Sequence, residues 1–371
     1  MKEHNIGIIT IPISKSGLTP LSNLVDIICS ISDNVFLITG DEGYNFYKED
    51  NRLKSFKIFH IYSTFFIFRI FNYIVIQLHI SFLIVKTRKK IDYFVFFIAS
   101  DTFALPMFAA KILRKKVFIL FAGSTIKTLE SKNDPFGYVL KILRFITCTF
   151  ADKLIVYADC LIKDYSLERW NGKIIIAYNH FIAFDLFKIK KNYHSREWIV
   201  GYIGRFEEEK GVLHLLHAIP EIVDKKPDIK FLFIGDGENQ NSIEQYIFDN
   251  NLSEKIILSG WISHKLIPDY LNQMKLLVIP SDTEGLPNIM LEAMSCGTPV
   301  LATPVGAIPS VIRNEETGFI MENNSSQCIG ANIIRILDYP AMDKIVENAR
   351  TCVRENFTFE SAVARIEEIF K

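Results

Sequence analysis

The sequence predicts an α/β protein built from two doubly wound parallel-sheet domains. Three observations carry this. The chain has 371 residues, more than one core ordinarily holds. Short apolar runs alternate with helix-length stretches along most of it. The apolar runs are unbroken, as in DYFVFFIA at 92–99, the pattern of parallel strands buried on both faces.

In the first half, residues 5–11, 35–39, 92–99, 116–121, 153–157 and 173–177 read as strands. Residues 21–31, 102–113 and 136–150 read as helices between them. Polar, aperiodic 188–196 (KIKKNYHSR) reads as a linker. The alternation then restarts. Strands are expected at 198–203, 230–234, 256–258, 276–279 and 300–302, with helices at 211–223, 243–250, 267–273, 288–296 and 308–312. The closing stretch 358–371 has the spacing of an amphipathic helix. This divides the chain into domains 1–190 and 191–352 and a terminal helix, 353–371.

Hydrophobic residues make up 49% of the chain, which excludes a disordered protein. The 42 basic and 42 acidic side chains cancel. The sum hides a split: residues 1–190 hold 25 basic and 16 acidic side chains, residues 191–371 hold 17 and 26. A charge split of this kind points to a different partner for each half. The six cysteines have no CxxC or metal-like spacing and read as reduced, buried thiols of a cytosolic protein. Met1-Lys2-Glu3-His4-Asn5 runs straight into a strand, without the pattern of a secretory leader.

Residues 62–85 are long enough to cross a bilayer, but Arg69, Asn72, Gln77 and His79 interrupt them. On a helix Asn72, His79 and Lys86 fall seven apart, with Arg69 three before Asn72, which makes a narrow polar stripe. That disfavours a span and favours a mostly buried helix, the alternative being a helix lying in a membrane surface.

Two motifs of the second half carry chemistry. Gly204-Arg205-Phe206-Glu207-Glu208-Glu209-Lys210-Gly211 follows a strand and opens a helix. Gly204 permits close backbone approach, and Arg205 and Lys210 set two cations at a strand end, suited to phosphate. The competing reading is a surface salt-bridge cluster with the three glutamates. The second motif is Glu284-Gly285-Leu286-Pro287-Asn288-Ile289-Met290-Leu291-Glu292. Pro287 suits a first helical turn, which leaves amides near Asn288 and Ile289 for an anion. Glu284 and Glu292 are suited to accept hydrogen bonds from sugar hydroxyls.

EGLPNIMLEAMSCGTPV (284–300) resembles the E-x7-E signature of retaining family 4 glycosyltransferases. GRFEEEKG, FIGDGE, SGW, IPS, CGTPV, VGAIPSVI and TGF follow the family's order across about 120 residues. The resemblance implies a GT-B fold, two Rossmann-like domains facing across a cleft. It implies transfer of a sugar from a nucleoside-diphosphate sugar, with retention and front-face attack. In the roles it implies, Arg205 and Lys210 bind the diphosphate, Glu284 contacts the donor sugar and Glu292 holds the ribose. Gly204, Leu286 and the amides of Asn288 and Ile289 line the donor, while Gly235, Gly237 and Trp261 border the base. There is no Asp-x-Asp motif, so no metal and no cofactor beyond the donor is expected.

The first half departs from the family. The loop Phe121-Ala122-Gly123-Ser124-Thr125 lacks the histidine common there, leaving Gly123 and Ser124, with Gly17 in the amino-terminal loop, as acceptor-side candidates. His180 stands where relatives commonly have glycine and reads as a loop residue between domains. The other histidines, His264 among them, read as structural.

The basic runs 86–90 and 114–116, with Lys141 and Arg144 on one helix face, lie among phenylalanines. They point to an anionic membrane surface and a polyprenyl-diphosphate-linked or other glycan acceptor. Nucleic acid is disfavoured by the absence of a motif and by the acidic half. The enzyme is therefore expected in the cytoplasm, peripheral on the inner face of the membrane, building a capsule- or lipopolysaccharide-type polymer. The alternatives are a non-catalytic scaffold for a partner transferase and another enzyme of the fold, such as a sugar epimerase.

Overall fold

The structure, a computed structural model, describes residues 4–60, 65–131, 133–197 and 199–371. Met1–Glu3, the start of the apolar segment at 62–64, and Trp198 at the expected strand start lie outside the described residues. The chain forms two α/β units. One comprises residues 1–180 and 360–371, the other residues 181–359.

The first unit opens with β1 (Asn5–Ile13), α1 (Leu18–Ile31), β2 (Asn34–Gly40), α2 (Asp41–Tyr47) and β3 (Leu53–Ile58). It continues with α3 (Phe66–Thr87), β4 (Tyr93–Phe97), α4 (Ala104–Ile112), β5 (Lys116–Leu120), α5 (Thr125–Ser131) and α6 (Phe136–Phe150). It then adds β6 (Lys153–Val156), α7 (Cys160–Asp164) and β7 (Ile174–Ile176). Its seven strands are parallel, in the order β3-β2-β1-β4-β5-β6-β7. All five residues of β4 are buried, as unbroken apolar runs require of a strand covered on both faces.

The second unit holds β8 (Ile199–Ile203), α8 (Val212–Lys225), β9 (Lys230–Ile234), α9 (Gln240–Asp249), β10 (Ile256–Leu258), α10 (Ile267–Leu271) and β11 (Leu276–Ile279). After these come α11 (Asn288–Ser295), β12 (Val300–Ala302), β13 (Phe319–Ile320), α12 (Ser326–Leu337) and α13 (Met342–Asn356). Six parallel strands run β10-β9-β8-β11-β12-β13. Phe206, Leu215, Phe231, Phe233 and Ile333 are buried in its core. The last helix, α14 (Phe359–Phe370), joins the first unit. There the Phe370 ring packs 5.4 Å from Tyr93 and 5.3 Å from Phe118, and Lys153 Nζ donates to the Ile369 carbonyl at 2.6 Å.

Several expectations change on this scaffold. Residues 188–196 are polar not because they are a free linker but because they are bonded into the second unit. Asn272 Oδ1 accepts the Lys190 amide at 2.7 Å, and its Nδ2 donates to the Lys188 carbonyl at 3.0 Å. All six cysteines are free thiols, but only Cys148 and Cys296 are buried, and Cys160 is exposed. Arg144 does not share an exposed face with Lys141. It is buried, ion-paired with Asp101 at 2.6 Å, while Lys141 is exposed and paired with Glu130. Helix α3 is not mostly buried: its apolar residues Ile67, Phe71, Leu78 and Phe82 face solvent.

Arg196 anchors the start of the second unit. Its guanidinium is buried and donates to the carbonyls of Met274 (3.1 Å) and Cys296 (2.7 Å) and to Thr298 Oγ1 (2.8 Å). Burial pulls its pKa down to about 10. An Arg196→Met variant leaves these acceptors dry and unpaired. Urea unfolding should show a loss of about 3 kcal/mol, since each buried orphan costs ~1–3 kcal/mol.

Candidate active site

In a parallel sheet the crevice opens where strand order reverses, outside the carboxyl ends of the two strands concerned. In the second sheet these are β8 and β11, which are neighbours. The chain leaving β8 is Gly204–Gly211. The chain leaving β11 is Pro280–Pro287, which leads into α11. The topology therefore brings both sequence motifs to one place, although 74 positions separate Lys210 from Glu284.

The contact is direct. Lys210 Nζ donates to Glu284 Oε1 at 2.8 Å, and Ser281 Oγ donates to the same oxygen at 2.8 Å. The Asp282 amide donates to the Glu209 carbonyl at 2.9 Å, tying the two loops through their backbones as well. Gly211 makes this approach possible. It lies at φ 66°, and a Cβ there would stand 2.0 Å from the Pro280 carbonyl oxygen.

Arg205 is partnered by its own loop. It pairs with Glu207 and, at 3.4 Å, with Glu209. Arg205 is thus salt-bridged within its own motif, while Lys210 reaches across to the other loop. Burial pushes the Glu207 carboxyl above its ordinary range. A hydrogen bond with Glu209 adds to this, and the Arg205 charge opposes it.

Gly204 and Gly235 are packed backbone to backbone. Gly235, at φ 147°, would place a Cβ 1.8 Å from the Gly204 carbonyl oxygen. The Phe206 amide donates to the Asp236 carbonyl at 2.6 Å, and the Gly235 amide to that of Gly260 at 3.0 Å. The loop 235–237 and the turn carrying Trp261 are thereby held beside the β8 loop. Trp261 is 42% exposed, leaving an aromatic face open to solvent.

Pro287 is not in the first turn of α11. It precedes the helix in an extended conformation, φ −72° and ψ 121°, as its cap residue. Asn288 and Ile289 then head the helix, at the positive end of its dipole. Leu286 is buried beneath them. Glu292, one turn further on, is also buried, and its Oε1 lies 2.7 Å from His264 Nε2. Sequence reading missed His264. It stands 28 positions from Glu292, and only the packing of the turn after β10 reveals the pair.

The first unit's candidates are more scattered. Gly17 closes a 3-10 turn after β1, one of the two strands at which the first sheet reverses. The loop after the other, β4, carries Ile98 and Ala99 at positive φ, 46° and 53°. No sequence motif marks them. Gly123 has open space around it, whereas Ser124 is buried and takes a hydrogen bond from Arg144 at 3.3 Å. His180 is buried too, its ring 4.8 Å from that of Tyr157.

Burial lowers the His264 pKa, but the hydrogen bond and charge of Glu292 outweigh it, and the net shift is upward. The sign follows by linkage. The pair's contribution is full below the ordinary histidine value of about 6.5 and fades as pH rises through the raised folded value. Thermal melts of His264→Ala and wild type should differ most below pH ~6.5 and converge as pH rises through the raised folded value.

Residues 184–351 match the family model described as glycosyl transferases group 1. The capsular polysaccharide biosynthesis glycosyltransferase CapM of Staphylococcus aureus is 28% identical over 250 residues, 63% of this chain and 65% of that protein. The UDP-Gal:alpha-D-GlcNAc-diphosphoundecaprenol alpha-1,3-galactosyltransferase of Escherichia coli is 29% identical over 171 residues, 45% and 44% of the two chains. Both matches span less than two thirds of the relative's length. Among solved structures, Anabaena HepE in complex with UDP and glucose superposes with a TM-score of 0.79 over 99% of each chain at 18% identity. That likeness shows the fold, GT-B with two Rossmann-like parallel-sheet units, and the family match falls within the second of them.

Proposed function

We propose that this protein is a retaining glycosyltransferase. It moves a sugar from a nucleoside-diphosphate sugar to a glycan or polyprenyl-diphosphate-linked glycan, in the cytoplasm, during synthesis of a surface polysaccharide. The observation that carries this reading is the Lys210–Glu284 contact at the strand-order reversal of the family-matched unit. It joins a phosphate-binding type of side chain to a hydroxyl-binding one.

The chemistry follows from charge. Breaking the bond between the anomeric carbon and the diphosphate leaves positive character on the sugar and negative charge on the phosphate. Fixed cations beside the phosphate lower that barrier most. Arg205 and Lys210 supply the cations, and the head of α11 at Asn288 and Ile289 adds oriented dipoles. With two cations and a helix terminus available, the reading assigns no divalent metal a role. An arriving diphosphate exchanges with the Glu207 and Glu284 carboxylates, and Glu284 is then released toward the sugar. Glu292 is suited to the ribose hydroxyls, and Trp261 offers a face to the base. HepE was solved with UDP and glucose, and the E. coli relative's name specifies a diphosphoundecaprenol-linked acceptor. Both support the donor and acceptor classes named here.

Turnover with a panel of nucleotide sugars and lipid-linked acceptors tests this. Lys210→Ala and Glu284→Ala should each lower kcat/KM about 100- to 1,000-fold. Full activity in both would remove the site assignment. Chelator should leave the rate unchanged, and proton NMR of the product should show the donor's anomeric configuration. An inverted product would overturn the retaining assignment.

A further inference from the structure

Several polar groups of helix α3 are turned toward the protein. Gln77 is buried, and its Oε1 accepts the Leu105 amide in the first turn of α4 at 3.0 Å. Tyr73 hydrogen-bonds Thr102, Thr87 is buried against its own helix, and Arg69 pairs with Asp134 at 2.6 Å. The residues at Ile67, Phe71, Ile74, Leu78, Phe82 and Val85 recur every three or four positions, and all are exposed. Ile67 is 77% exposed and Phe71 65%. An amphipathic helix of a water-soluble core has the opposite arrangement.

The face does not end with α3. On α6, Tyr138, Ile142 and Phe145 repeat the exposed spacing, while Arg144 of the same helix is buried on Asp101. On α4, Ile112 is 80% exposed. Ring contacts join the three helices: Phe66 and Tyr73 against Phe136, at 6.4 and 5.5 Å, and Phe108 against Phe150 at 5.0 Å. Most of the exposed large apolar side chains among the described residues lie on these three helices or at their ends. Patches beyond about 300–600 Å² mark interaction sites, and a half-exposed aromatic ring contributes roughly 100 Å².

Charge selects the occupant. Helices α3, α4 and α6 contain no Asp or Glu. Of the nearby acids, Asp134, Glu130 and Asp152 are each paired with a cation of these helices, and exposed Asp92 is bonded to Asn5. Exposed Lys86 lies in the last turn of α3, exposed Arg88, Lys89 and Lys90 follow it, and exposed Arg114 and Lys116 follow α4. The register Tyr93↔Lys116 puts both basic runs at the amino edge of the sheet. A second copy would bring the same cations against themselves. By length and composition α3 could cross a bilayer. However, Gln77 and Arg69 bind it into the unit, so it is placed to lie along a surface.

We propose that the α3–α4–α6 face docks on an anionic lipid bilayer, with its apolar stripe in the headgroup–acyl boundary and the 86–90 and 114–116 runs on lipid phosphates. The argument uses nothing from the donor site, so it stands or falls apart from the catalytic reading.

Vesicle co-sedimentation of the full chain tests it. Binding to phosphatidylcholine vesicles with about 30% phosphatidylglycerol should exceed binding to phosphatidylcholine alone by at least about tenfold, and should weaken as salt rises. Phe71→Glu with Leu78→Glu, both at exposed positions, should lower binding by more than about tenfold with the melting temperature unchanged. Lys89→Glu with Lys90→Glu should abolish the preference for anionic lipid. Hydrogen exchange of the wild type, which needs no variant, should show vesicle-induced protection across 66–87 and 104–112. The proposal is overturned if the wild type does not bind anionic vesicles, or if protection falls on the second unit. It is also overturned if sedimentation shows a dimer that Phe71→Glu/Leu78→Glu breaks while vesicles bind neither form.

Discussion

Each sheet of this protein reverses its strand order once, and the second unit's chemistry depends on where that happens. From β8 the chain builds outward through β9 and β10, then returns to lay β11 on the other side of β8. Loops leaving adjacent strands in opposite directions cannot cover the strand ends between them. The uncovered ground is where the β8 and β11 loops meet. Gly211, under the Pro280 carbonyl, sets how closely they meet, while Gly235, under that of Gly204, sets the β9 loop against the β8 loop. A larger residue at position 211 would push the β8 and β11 loops apart and separate Lys210 from Glu284.

The charged side chains of the site are paired with one another. Lys210 has Glu284, Arg205 has Glu207 and Glu209, and Glu292 has His264. On the proposed function, substrate does not fill an empty hole in the charge distribution but takes over partners already engaged. Such a site holds its cations in place, with little rearrangement of long side chains, before the phosphate arrives. Its selectivity then rests on ligands that can replace both a carboxylate at Lys210 and one at Arg205, which a diphosphate can do and a lone hydroxyl cannot.

Much of this was legible in the sequence, for identifiable reasons. Parallel strands announce themselves as apolar runs, so β4, β5 and β8 were readable, and helix α6 was placed at its observed limits. Both loops of the site were readable because glycines and charges cluster there within a few positions. What escaped reading depends on rotation about a helix axis or on distant partners. Arg144 sits three positions after Lys141, which suggested one shared face. Its side chain is claimed by Asp101, 43 positions earlier. In α3 the polar interruptions were visible but not which way each one turns: Gln77 is buried and accepts the Leu105 amide of α4, while Phe71 and Phe82 are exposed. His264 and Glu292 lie in elements that no local pattern links.

The final helix gives the chain an unusual order of assembly. The second unit is one uninterrupted stretch, 181–359, whereas the first needs residues from both ends of the chain. On the ribosome, therefore, the first unit's sheet emerges early but waits for the last dozen residues before Phe370 can cover Tyr93 and Phe118. Throughout that interval the second unit, made later, can finish folding on its own, since domains fold as units. The chain's beginning is thus completed by its end. A nascent or truncated protein stopping short of α14 would leave the Tyr93 and Phe118 rings without this cover, a mark by which quality control can tell an unfinished copy from a finished one.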